Sequence, residues 1–161
     1  MDNKYVKLHS LLRMFAALLA IVAFIAMFFS KQVVHSDSLF RNDVFFDFSN
    51  GAFFGNSDYN IKGNVLGFIG YLFVLLGGLA GLAFVFIDEM IGKDLTKKLS
   101  FVAGGVALIG AIFIFLFAAV FNGVNERNDF ILDAAPIVFG IFGVIVAGIN
   151  AAAPILEDKG L

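Results

Sequence analysis

The sequence predicts an all-α integral membrane protein, a four-transmembrane-helix bundle with a small extracellular β-hairpin in its first outer loop. Three observations predict it. The 161 residues are 60% hydrophobic and only 15% charged, against roughly 45–50% apolar and 25% charged in ordinary soluble domains. Four apolar runs, residues 8–29, 64–88, 100–121 and 134–154, approach or exceed the roughly 20 residues that a rise of about 1.5 Å each needs to cross the hydrocarbon core. Apart from Arg13 and Asp88, every charge falls outside those runs.

The first run is uninterrupted only over residues 14–29. It reaches spanning length by starting near Leu8, with Arg13 expected to snorkel its guanidinium back to the headgroups. Lys4 and Lys7 ahead of an apolar core also fit an export signal, but the stretch outruns a typical signal core and no small-x-small site follows it. The first run therefore reads as a membrane helix.

Residues 30–62 form the first outer loop, which is long and unusually aromatic. Asn50-Gly51 lies between Val44-Phe45-Phe46-Asp47-Phe48-Ser49 and Ala52-Phe53-Phe54, and Asn-Gly between β-prone runs is a strong hairpin signal because both residues tolerate positive φ. A hairpin over about 44–54 is expected. An isolated hairpin is marginal in water, so Phe45, Phe46, Phe48, Asn50, Gly51, Phe53 and Phe54 form the candidate partner surface. Asp58-Tyr59-Asn60-Ile61-Lys62-Gly63 copies the start of a calcium loop, but its fifth position is Lys62 and its twelfth is Ile69 where a bidentate Glu belongs.

In lipid the hydrophobic effect does not pull helices together, so close backbone contact must do it, and small residues mark where. The second run carries Gly63, Gly67, Gly70, Gly77 and Gly81 along one stripe. An inner loop, 89–99, leads to the third run, which repeats the device in Gly104, Ala107 and Ala111. After an outer loop, 122–133, the fourth run carries Gly140, Gly143 and Ala147. These eleven positions are the expected packing stripes of a tight, dry bundle. The first run has no glycine face and is expected to pack most loosely. The second and fourth runs also align without gaps, Phe68-Ile69-Gly70 on Val138-Phe139-Gly140, which fits either a duplication or chance likeness between apolar helices.

Orientation follows from Lys and Arg, which short loops retain on the cytoplasmic side. With both termini inside, Lys4, Lys7, Arg13, Lys93, Lys97, Lys98 and Lys159 lie inward and Lys31, Arg41, Lys62 and Arg127 outward. Seven against four favours cytoplasmic termini in a multi-pass protein of the cell membrane. The chain has no Cys, no Trp, one Thr and no glycosylation sequon, which suits a bacterial cytoplasmic membrane.

Chemistry is sparse. Without cysteine there is no disulfide and no thiolate, and a net charge of -2 supplies no basic surface for nucleic acid. His9 and His35 fall on opposite sides of the membrane, and no H-E-x-x-H, G-x-S-x-G or P-loop is present. No enzymatic activity, cofactor or metal site is expected. The intramembrane polar residues are Arg13, Tyr71 and Asn150. Transport would place costly polar groups at that depth, so an oligomeric pore or small transporter or channel subunit is the alternative function. The four spans, inner termini, long first outer loop and short second one resemble the claudin-like tetraspans in layout, although the Trp and two Cys of the claudin loop signature are absent. The resemblance implies an adhesion, barrier or accessory-subunit role, and the function expected is that of a structural, adhesion or accessory subunit of a larger membrane assembly, acting through the aromatic outer loop and the glycine-striped helices. The partners expected are the lipid bilayer and other membrane proteins or further copies of the chain.

Overall fold

The computed structural model describes residues 7–35, 45–58, 60–126 and 129–160. Four helices, α1 (Leu8–Ala26), α2 (Val65–Ile91), α3 (Lys93–Val124) and α4 (Ala134–Asp158), run alternately up and down. All four are long and apolar enough to cross a membrane. Three short strands, β1 (Val33–His35), β2 (Phe45–Phe46) and β3 (Phe130–Leu132), form one antiparallel sheet in the order β2-β1-β3. The sheet covers one end of the bundle, and α1 begins and α4 ends at the other.

Small residues set the helix spacing. A Cβ placed on Gly70 would lie 2.8 Å from the Gly110 carbonyl, and one on Gly77 would lie 2.7 Å from the Ala103 carbonyl and from the Ala107 Cβ. Gly143 sits on Ala111 and Val74, and Gly104 on the Ala147 carbonyl. α1, with α4 the least buried of the four helices, still makes one close approach. Ala16, Ala20 and Ala23 are fully buried, and Ala20 seats in Gly78 of α2. Alanine brings α1 close because the glycine that admits it is on the partner.

Three expectations are corrected. The segment expected as an inner loop over 89–99 is helical on both sides of Gly92, whose φ of +84° lets α2 turn straight into α3. α3 therefore has 32 residues, about 48 Å at 1.5 Å per residue, which outruns the hydrocarbon core. Residues 44–54 do not pair with one another among the described residues. β2 pairs instead with β1, Val33 opposite Phe46 and Val34 opposite Phe45. Asp47 Oδ1 accepts from the Ser49 and Asn50 amides, and Asn50 Nδ2 donates to the Phe45 carbonyl. Local side-chain bonds of this kind offer the backbone an alternative to a strand ladder, and of the Asn50-Gly51 pair only Gly51 takes a positive φ. Gly63 lies ahead of α2 and packs on Gly55 and Phe54 inside the loop, so it is no part of a helix-packing stripe.

Candidate functional site

The aromatic loop turns inward. Phe46 is 3% exposed and Phe53 is fully buried. Phe46, Phe121 and Phe130 form a triangle of rings with centroids 5.5–5.7 Å apart, which joins β2, α3 and β3. Phe53 lies on Phe117, Phe68 and Tyr71 at 5.3–6.3 Å, and half-buried Phe48 packs against Phe28, its ring centroid 4.5 Å away and tilted by 59°. Gly51 is buried, Asn50 is half-buried, and half-buried Phe45 carries Lys31 Nζ 4.2 Å above its ring. Only Phe54, 61% exposed, presents most of its surface. The expected partner surface is therefore largely a plug in the sheet end of the bundle. Burying a phenyl side chain contributes about 1.5–3 kcal/mol, and the bundle end supplies the apolar surface to do it.

Carboxamides tie the plug down. Gln32 is fully buried. Its amide nitrogen donates to the Met27 and Ser30 carbonyls, its Oε1 accepts from the Tyr71 hydroxyl at 3.0 Å, and its backbone bonds to Phe46 on one side and Asp133 on the other. Asn125 and Lys62 bond reciprocally through the Asn125 amide, as do Asn122 and Phe130. Asn64 Nδ2 reaches the Phe117 carbonyl. Of these amides Gln32, Asn122 and Asn125 were not singled out in the sequence. The available signal was an amide within a few residues of the end of an apolar run.

The bundle interior is not wholly apolar at the other end. Arg13 is 1% exposed and does not snorkel: Nη2 donates to Ser100 Oγ at 3.1 Å, and Cζ lies 5.9 Å from the centre of the Phe84 ring. His9, Thr96 and Ser100 are buried too. One turn deeper, Asn150 is fully buried and donates through Nδ2 to the Gly77 carbonyl at 3.0 Å, with Gly81 against its Oδ1. A buried ion of this kind costs several kcal/mol unless it is bonded, and the physical alternative to snorkelling is this pair of contacts, to Ser100 of α3 and Phe84 of α2.

A surface groove of about 350 Å³ runs between α3 and α4, floored by Gly104, Gly105, Ala147, Gly148 and Ala151. Gly140 meets Phe115 beyond it, and Gly67 meets Phe117 and Phe53 on the far side of the bundle. Gly105 and Gly148 differ from the packed helical glycines, because no atom lies within 4 Å of the Cβ either would carry. Among the described residues no three His, Asp or Glu side chains come together to hold a metal ion. Compared with protein families, curated proteins and solved structures, the chain matches none, and no such match stands behind the claudin-like layout.

Proposed function

We propose that the chain is a non-enzymatic, multi-pass protein of the cell membrane, with both termini cytoplasmic, that serves as a structural or accessory subunit by lateral contact with another membrane protein or another copy of itself. The observation that carries the reading is the α3/α4 groove. Gly67, Gly70, Gly77, Gly78, Gly81, Gly104, Gly110, Gly140 and Gly143 all lie against neighbouring atoms of the chain, whereas Gly105 and Gly148, side by side in one groove, meet nothing, as does Gly123 in the last turn of α3. A helical glycine weakens a helix by about 1 kcal/mol against alanine, and in membranes small residues serve close backbone approach. Two of them facing outward on adjacent helices fit a helix arriving from outside. Phe101, Leu108 and Val144 form the walls.

The sheet end contributes to this reading as a lid. Its buried aromatics hold the two loops together, and exposed Phe54, Phe29 and Ile131 form the apolar rim suited to the headgroup region. Replacing both Gly105 and Gly148 with Ile fills the groove. The thermal midpoint of the detergent-solubilised protein should then stay unchanged while its oligomer or native complex dissociates on native mass spectrometry. An intact assembly in that variant sinks the proposal. Orientation is tested separately, because the native chain has no cysteine. A single Cys at Lys159 should react with an impermeant maleimide only after cells are permeabilised, and reaction in intact cells reverses the topology.

A further inference from the structure

We propose that a water molecule is bound on the bundle axis between Arg13 and Asn150, accepting a hydrogen bond from Arg13 Nε and donating one to Asn150 Oδ1. Both atoms are buried and, among the described residues, neither has a hydrogen-bond partner. One is a donor and the other an acceptor. Each side chain is anchored at its other end, Arg13 through Nη2 on Ser100 Oγ and Asn150 through Nδ2 on the Gly77 carbonyl, so neither orphan can swing out to solvent. The Gly77 carbonyl also settles which way the amide faces, since a flipped Asn150 would set two oxygens against each other.

The two orphans belong to adjacent layers. Arg13 lies over Phe84 and bonds Ser100, while Asn150 touches Gly81 and lies beside Gly104. Three residues separate the contacts on α2 and four separate them on α3, about one helical turn, or about 5.4 Å, on each. Asn150 Oδ1 is on the Arg13 side of its own amide, because its nitrogen bonds at Gly77 and its oxygen sits at Gly81, one turn nearer Phe84. Pro154, buried one turn further along α4, has no N–H for the Asn150 main-chain carbonyl, which leaves a second acceptor on Asn150 without its helical partner.

The ligand must both accept and donate. A cation is repelled by the guanidinium, an anion by the amide oxygen, and an apolar group satisfies neither. Water does both, and buried waters typically make two to four such bonds. Polar residues continue from Arg13 to the terminus end through His9 and Thr96, whereas Val74, Val146 and Ala107, all fully buried, close the axis toward the sheet. The site is therefore the innermost of the buried polar groups at the terminus end.

The test uses the full chain in lipid nanodiscs with 15N-labelled arginine. The sequence has only three arginines, so Arg41→Lys and Arg127→Lys variants assign the Arg13 Nε–H resonance. A dipolar cross-peak from water to that proton, with the sign that separates a bound molecule from chemical exchange, is expected in the native sequence, with its loss in Asn150→Leu. A resonance that is visible but silent to water, or that shows a contact to a protein acceptor, overturns the proposal. A resonance broadened away by fast exchange overturns it too, since that means open access to bulk solvent.

Discussion

At the scale of single residues, glycines of one composition do opposite things according to what stands opposite them. A methyl group on Gly81 would strike Asn150, and overpacking of this kind costs about 1–3 kcal/mol. Gly81→Ala should therefore lower the midpoint of unfolding in detergent. Gly105 faces open space, so Gly105→Ala should be neutral or stabilise by up to about 1 kcal/mol through helix propensity. Equal losses in the two variants would show that the packing assignment is mistaken. Gln32 is the polar residue on which most depends, since it joins the end of α1, the sheet, α2 and the start of α4. In Gln32→Leu the Tyr71 hydroxyl and two carbonyls lose their partner, and each buried group so stranded costs about 1–3 kcal/mol. The loss should be read as a lower denaturation midpoint, and Tyr71→Phe on the same background should restore part of it.

At the scale of elements, the sheet exists because both connections at one end supply strands to it. β1 alone is three residues and β2 two, too short for a stable ladder by themselves. Their stability comes from Phe46, Phe121 and Phe130 underneath and from the reciprocal Asn122 and Asn125 bonds at the end of α3. Phe46→Ser should remove about 3–5 kcal/mol from this cap. Amide exchange should then accelerate over 33–35 and 130–132 while the helix centres of α2 and α3 stay protected. Uniform acceleration along the helices would mean that cap and bundle unfold as one unit. The long α3 has its own logic: its first seven residues include Lys93, Asp94, Lys97 and Lys98, and Lys97 pairs with Asp158 at the end of α4. Both partners are substantially exposed, and an exposed pair contributes little. It aligns two helix ends without holding the bundle together.

At the scale of the whole molecule, the bundle has three zones along its axis: a polar layer at the terminus end, an apolar waist of Val74, Val146 and Ala107, and an aromatic plug beneath the sheet. The chain's division into four apolar runs, the small-residue stripes on three of them and the charges between them were legible in sequence, because length and spacing are local properties of a helix in lipid. The direction of the loop aromatics was not. Phe46, Phe53 and Phe54 are the same residue type within nine positions, yet two are buried and one is not, and only the cavity left at the bundle end distinguishes them. Arg13 was visible as an oddity, but its destination was not, since its partners Ser100 and Phe84 come from two other helices. Gly105 and Gly148 looked like every other glycine. What the sequence by itself determined is the number of apolar helices and the small faces that let them meet. Which faces are used inside the bundle and which are left facing out was decided only by tertiary structure, because a close approach is a property of two surfaces and one strand of text records them separately.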